Sequence, residues 1–68
     1  MKDIVIDGKT YEFIDRCTID NKNYVVFEDE ECVYVCEYVV KENGEIDFLV
    51  IDDALEDKVL EKLGLNYE

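Results

Sequence analysis

Turn-forming residues divide the chain into short segments, and their spacing constrains the fold more than any other feature. Gly and Asn tolerate the positive φ that tight hairpin turns require. Such turn signals occur at Asp7-Gly8-Lys9, Asp20-Asn21-Lys22-Asn23 and Asn43-Gly44, and the acids at 28–31 make a fourth break. The segments between the breaks are rich in β-branched and aromatic residues, which favour strands. The predicted strands cover residues 3–6, 10–19, 24–28, 32–42 and 45–51.

Side chains alternate between the two faces of a strand, so the sequence also predicts which residues share a face. In the second segment, one predicted face holds Tyr11, Phe13, Cys17 and Ile19, and the other holds Glu12 and Arg16. In the fifth segment, one face holds Ile46, Phe48 and Val50, and the other holds Leu49 and Ile51.

The segment 32–42 has apolar residues on both of its faces. One face holds Cys32, Tyr34, Cys36, Tyr38 and Val40, and the other holds Val33, Val35 and Val39, interrupted by Glu37. A strand with two apolar faces is covered by other parts of the protein on both. We therefore expect this segment to be an extended strand in the centre of the sheet.

The C-terminal part of the chain predicts a short helix. Asp53 and Glu56 have the spacing of a capping box at the start of a helix. An apolar stripe recurs at every fourth residue: Leu55, Val59 and Leu63. Gly64 suits the left-handed position after a helix, where Leu65 can contact Leu60. Because a helix of this length is unstable alone, we expect it to pack on the sheet.

These elements predict an α+β fold that is mainly β. We expect one small acidic domain over residues 1–68, built as a curled or barrel-like antiparallel meander of about five strands with one C-terminal helix. One helix covers only one face of a sheet. The other face has to be closed by curling into a barrel or by a second subunit, so a homodimer stays open as an alternative.

The missing residue types exclude several kinds of enzyme. The chain has no Ser and no His, so one chain cannot form a Ser-His triad, a Cys-His dyad or a His-based zinc site. We therefore expect a non-enzymatic protein without catalytic residues or a cofactor.

The net charge of −12 restricts the partners of the protein. The sequence has 19 acidic and 7 basic side chains, and most of the excess acid lies in residues 28–68. Nucleic acid and anionic membranes would repel such a surface, whereas a basic protein would be attracted. We see no secretion signal or membrane-spanning segment in the sequence and expect a cytoplasmic protein.

The three cysteines, Cys17, Cys32 and Cys36, are predicted to be small core residues in the reduced state. On an extended strand, Cys32 and Cys36 lie roughly 13 Å apart, too far for a disulfide or a shared metal ion. A metal- or thiol-based activity of the three cysteines remains a less favoured alternative. We expect slow alkylation of the folded protein.

The candidate binding residues are acids and tyrosines around the fourth strand. They are Glu28, Asp29, Glu30, Glu31, Tyr34, Glu37 and Tyr38. Acids attract a basic partner over a distance, and exposed tyrosines anchor Arg and Lys side chains. The alternative is that the tyrosines line the core and the acids form a solvated turn. The acidic runs also contain oxygen ligands suitable for Ca²⁺ or Mg²⁺, but they lack the spacing of an EF-hand loop.

The order of these motifs resembles a known family. The resemblance rests on Asp7, Gly8, Glu12, Phe13, Lys22, Tyr24, Val25, Val26, the acids 28–31 and residues 52–56. In this pattern the chain resembles the YrzB-like family of small acidic bacterial proteins of unknown function. Since that family has no assigned activity, the resemblance implies no catalytic residue.

Taken together, these features favour a cytoplasmic protein-interaction module for a basic partner. A first alternative is a mimic of nucleic-acid phosphates that occupies a DNA- or RNA-binding groove. A second, less favoured alternative is an activity based on a divalent metal ion or a thiol.

Overall fold

Five antiparallel strands follow one another in chain order and curl into half a barrel. The computed structural model describes residues 3–65. The strands are β1 (Asp3–Ile6), β2 (Lys9–Ile19), β3 (Lys22–Glu28), β4 (Val33–Val40) and β5 (Ile46–Val50), and the helix is α1 (Asp53–Leu63). The predicted fold class, a single, mainly β domain with one C-terminal helix, is confirmed.

The first two hairpins turn on residue pairs with positive φ. Asp7 and Gly8 have φ values of 51° and 79°, and Asp20 and Asn21 have φ values of 51° and 66°. Positive φ at both central positions is typical of the type I′ turn, whose twist matches that of the strands it joins. These four residues therefore set the register of the first three strands.

A β-bulge in β2 changes which residues share a face. The pairing with β3 shifts between Phe13 and Asp15, so β2 contains one extra residue. Beyond the bulge, Cys17 and Ile19 pack on the helix side of the sheet, while Arg16 lies on the opposite face with Phe13. The prediction that Cys17 and Ile19 share a face with Phe13 is wrong, because the extra residue reverses the alternation.

The third strand is the most deeply buried part of the sheet. Its four residues from Tyr24 to Phe27 are each at most 4% exposed, so both of its faces are covered. We predicted this double coverage for residues 32–42. That segment does form a strand between β3 and β5, but its end is open, since Val39 and Val40 are 42% and 58% exposed. The helix packs on the first half of β4 and leaves the second half uncovered.

The helix α1 packs on one face of the sheet through the predicted apolar stripe. The buried residues of this helix-side core are Tyr24, Val26, Val35 and Val59. Leu55 and Leu63, one turn before and after Val59, pack against the same cluster. Tertiary packing thus stabilises a helix that is too short to be stable alone. Within residues 3–65, no helix is both long and apolar enough to cross a membrane.

Asp52 caps the N-terminus of α1. Its backbone is extended, and its Oδ1 accepts a hydrogen bond from the Leu55 backbone N–H at 2.8 Å. The predicted capping box of Asp53 and Glu56 is therefore wrong, because the cap lies one residue earlier and the third helical residue is Leu55. Asp53 instead lies in the first helical turn, where its negative charge favours the positive end of the helix dipole.

The C-terminus of α1 ends in a Schellman motif, as predicted. Gly64 has a φ of 72°, a left-handed conformation that favours glycine. Its N–H donates to the carbonyl oxygen of Glu61 at 3.1 Å, and the N–H of Leu65 donates to that of Leu60 at 2.9 Å. These two bonds satisfy carbonyl groups that the helix leaves free and turn the chain back towards the core.

An aromatic cluster covers part of the opposite face of the sheet. Its members are Tyr11, Phe27, Tyr34 and Phe48. The ring of Phe27 lies at the centre, with centroid distances of 5.1 Å to Tyr11, 5.5 Å to Tyr34 and 6.0 Å to Phe48. Because these rings come from four strands, their contacts favour curling of the sheet towards this face.

The two neighbouring aspartates at the helix start make the cap assignment testable. Replacement of an N-cap Asp by Ala costs about 1 kcal/mol, and about 1 kcal/mol lowers the melting temperature of a domain of this size by roughly 4–8 °C. We expect Asp52→Ala to reach this range and Asp53→Ala to cost less. Thermal unfolding followed by circular dichroism measures both. A larger decrease in melting temperature for Asp53→Ala than for Asp52→Ala would contradict the assignment of Asp52 as the N-cap.

Candidate functional site

Asp29 organises the acidic turn between β3 and β4. Its Oδ1 accepts hydrogen bonds from the backbone N–H groups of Glu31 and Cys32 at 2.8 and 2.9 Å. Its Oδ2 accepts from Lys9 Nζ at 2.8 Å and from Tyr34 Oη at 3.0 Å. With four donors around it, the side chain is only 7% exposed. Asp29 therefore joins the β1–β2 hairpin to the β3–β4 turn.

These contacts shift the protonation of two groups in opposite directions. The hydrogen bond from Lys9, followed by the backbone amides of Cys32 and Glu31, holds the pKa of Asp29 well below its usual range. The hydrogen bond to the Asp29 carboxylate raises the pKa of Tyr34 to about 12. At neutral pH the carboxylate is thus charged and the phenol is protonated, which keeps this set of contacts intact.

The four predicted acids of the turn do not have the same role. Glu30 and Glu31 are exposed, and Glu28, the last residue of β3, is half-buried. Asp29 is occupied by contacts within the chain, as described above. Of this run, Glu30 and Glu31 are the carboxylates most accessible to a partner.

The candidate residues of β4 lie on two different faces. Tyr34 packs in the aromatic cluster, and Tyr38 accepts a hydrogen bond from Arg16 Nη1 at 3.2 Å on the same face. Glu37 pairs with Tyr24 and Leu49 across the sheet and therefore lies on the opposite side. The structure brings the two tyrosines together on one face but separates Glu37 from them.

An apolar groove of about 450 Å³ lies on the face opposite the helix. It is lined by residues from all five strands: Asp3, Ile4, Val5, Phe13, Arg16, Val25, Tyr38, Ile46 and Phe48. The half-barrel leaves this face open between its two edge strands, β1 and β5. Of the candidate residues, only Tyr38 lines the groove.

Charged groups of both signs lie at the groove. The hydrogen bond to Tyr38 raises the pKa of Arg16, so the guanidinium keeps its charge. Asp3 lies at the β1 side of the groove and is paired with Glu12, and Glu12 with Glu28. The side chains of this acidic row point to the helix side of the sheet, because Phe13 and Phe27 beside them face the groove. Like charges in directly opposed positions are destabilising, so the acidic row has no benefit for folding.

Exposed apolar residues concentrate at the β5 end of the sheet. The large apolar side chains of β4 and β5 that stay exposed are Val39, Val40, Ile46, Leu49 and Val50. Val50 is 96% exposed, and Ile46 is 49% exposed at the rim of the groove. The sequence signal for this surface is the run of apolar residues in β5, with Ile46, Phe48 and Val50 on one face and Leu49 on the other.

The three cysteines have different environments, and the prediction that all are core residues is wrong for Cys32. Cys32 is exposed in the acidic turn, just before β4. Cys17 and Cys36 are half-buried, and burial raises the pKa of both thiols. Within residues 3–65, no group of three or more Cys, Asp or Glu side chains is arranged to hold a metal ion.

Comparison with known proteins adds no relative: no family model, no curated protein and no solved structure matches the chain. The groove, the edge strand β5 and the distribution of charge are therefore the features that indicate a function.

The low pKa of Asp29 predicts a loss of stability in acid. The ionised side chain stabilises the folded state fully above its unfolded-state pKa of about 3.9, and this contribution is lost as the pH falls further. We expect Asp29→Asn to lower the melting temperature at neutral pH and to make the acid-induced decrease shallower. Thermal unfolding between about pH 7 and pH 2 measures both effects.

The control for this measurement is Glu30→Gln. It makes the same change of charge in an exposed side chain of the same turn and should leave both quantities nearly unchanged. If the two variants behave alike, Asp29 acts only through the net charge of the protein.

The cysteine environments predict a single reactive thiol. We expect one fast equivalent in a thiol titration of the folded protein and two further equivalents after unfolding in denaturant, since half-buried thiols of raised pKa react slowly. In Cys32→Ala the fast equivalent should disappear. Two or more fast thiols in the unaltered protein would contradict this assignment.

Proposed function

We propose that the protein is a non-enzymatic, cytoplasmic interaction module that binds a basic partner protein. The observation that carries this proposal is an open apolar groove on a molecule with a net charge of −12. Large apolar surfaces that stay exposed on a small domain are typical of sites that bind another molecule. The surrounding charge selects the class of partner, because it attracts cations over a distance and repels polyanions.

The groove and the acids have complementary roles in this proposal. The apolar residues at the rim, such as Ile46, gain free energy when a partner removes them from water. The exposed Glu30 and Glu31 and the acidic residues around β5 attract Lys and Arg side chains of the partner. The acidic row of Asp3, Glu12 and Glu28 lies on the helix side and adds to the overall negative charge.

The positions of the seven candidate residues refine the proposal. Tyr38 lines the groove, where a partner would contact the sheet, whereas Glu28 pairs with Val33 and points to the helix side. Tyr34 and Asp29 stabilise the turn that supports this surface. Glu37, on the other face, contributes only to the overall charge. The relation to the YrzB-like family stays a prediction.

Two substitutions separate binding in the groove from a general loss of apolar surface. Ile46→Thr makes the groove rim more polar, whereas Val39→Thr makes a similarly exposed position outside the groove lining more polar. Both replacements keep the charge and a β-branched side chain. We expect Ile46→Thr to weaken capture of basic proteins from a cell extract roughly tenfold, the effect of burying about half an Ile side chain. Val39→Thr should bind like the unaltered protein.

The same capture experiment at two salt concentrations tests the role of charge. Binding should fall when salt is raised from ~0.05 M to ~0.3 M, because the screening length shortens. Mass spectrometry identifies the captured proteins, which should be basic. Salt-insensitive capture, or equal effects of the two substitutions, would refute the proposal. A captured protein that nucleic acid displaces would favour the phosphate mimic.

A further inference from the structure

The outer edge of β5 is open. β5 is the last strand of the sheet, and no other segment within residues 3–65 pairs with its outer side. The backbone N–H and C=O groups of such an edge can pair with an extended segment of another chain. Proteins usually protect an exposed edge with Lys, Pro, a bulge or a covering loop. β5 itself contains neither Lys nor Pro. Its charged side chain is Asp47, whose carboxylate lies 3.3 Å from Lys41 Nζ of the same chain.

The side chains of β5 are typical of an interior strand. Phe48 packs in the aromatic cluster, with Ile46 and Val50 on the same face of the strand, whereas Leu49 lies on the other face. Ile46 and Leu49 are 49% and 44% exposed, and Val50 is 96% exposed. Apolar side chains on both faces of a strand are normally covered by other parts of the protein. In β5 they stay largely exposed.

An additional strand at this edge would also cover the groove. The sheet curls from β1 to β5, so a segment beside β5 continues the curl across the open side of the half-barrel. Every second side chain of that segment would point towards the groove, next to Ile46 and Phe48. The remaining side chains would point to the outer face and into solvent. One extended segment would thus form hydrogen bonds with the free edge of β5 and bury the apolar groove.

The charge around β5 determines which segment fits. Residues 41–57, which contain β5 and its flanks, carry seven acidic side chains and one basic one. A second copy would bring the same acidic segment to the edge and be repelled. A partner with Lys or Arg on the outward positions is attracted.

We propose that β5 binds a basic, extended segment of a partner protein by strand addition, with alternating apolar side chains of that segment in the groove. This inference rests on the proposed function and specifies the partner as an alternating apolar and basic sequence. It predicts that main-chain hydrogen bonds to β5 supply part of the affinity.

A synthetic peptide with alternating Val and Lys residues tests the proposal. We would measure its affinity for the full chain by isothermal titration, together with two isomers that carry N-methyl groups either on every Val or on every Lys. The N–H groups of alternate residues point to opposite edges of a strand, so only one isomer loses the donors that face β5. We expect that isomer to bind about tenfold more weakly or worse, and the other to bind like the parent peptide.

The outcomes separate this inference from the proposed function. Equal affinities of all three peptides would overturn strand addition while leaving a basic partner in place. Equal weakening by both methylated isomers would also overturn it, because strand addition uses the N–H groups of one edge of the peptide and not those of the other. If the parent peptide does not bind at low salt, both the proposed function and the inference are refuted.

A substitution in the chain locates the bound peptide. Val50→Lys places a positive charge at the edge and, at 96% exposure, should leave the fold intact. Ala54→Lys makes the same change of charge on the exposed side of the neighbouring helix. We expect Val50→Lys to weaken peptide binding at least several-fold more than Ala54→Lys. Equal effects would show that only the net charge matters and would overturn the assignment to β5.

Sedimentation of the chain without peptide tests the alternative occupant of the same edge. A monomer supports the proposal. A dimer that Val50→Lys dissociates would assign the edge to a second copy and overturn it.

Discussion

The structure depends on the fact that the sheet has two apolar faces, whereas residues 3–65 contain a single helix to cover them. The helix covers one face through Val59 and its neighbours, and the other face has no second layer within residues 3–65. Curling brings Tyr11, Phe27, Tyr34 and Phe48 together and covers part of that face. The five strands curl into half a barrel, and a groove stays open between β1 and β5. The candidate binding surface is thus the part of the core that the chain does not cover.

The acidic composition has both a structural and a surface component. Asp29 is enclosed by donors from two hairpins and acts as a folding element, although in the sequence it looks like any other member of its run. Glu30 and Glu31 stay in water beside it. The number of acidic residues therefore overstates how many carboxylates are available to a partner, because the sequence does not show which of them are enclosed. In the proposed interaction, the relevant charges are those of Glu30, Glu31 and the acids around β5.

The features that could be predicted from the sequence are those that local chemistry determines. Asp7-Gly8 and Asp20-Asn21 select their turns without help from distant residues, and the stripe of Leu55, Val59 and Leu63 needs only helical spacing. The bulge at Phe13 could not be predicted, because it depends on how β2 pairs with β3, and the strict alternation failed beyond it. The contact between Lys9 and Asp29 spans 20 residues and was equally invisible. The groove could not be predicted either, because it depends on how far the whole sheet curls. That curl is set by contacts between residues distant in the sequence.

The exposed edge of β5 has a consequence for how the protein behaves at high concentration. Unprotected edges of this kind stack on one another and lead to fibrils or amorphous precipitate. In this molecule mutual repulsion between highly anionic particles provides most of the colloidal protection, since the edge itself has little. Protonation of the carboxylates or concentrated electrolyte would remove that barrier. The abundance of Asp and Glu thus preserves dispersion in addition to any part it has in recognition.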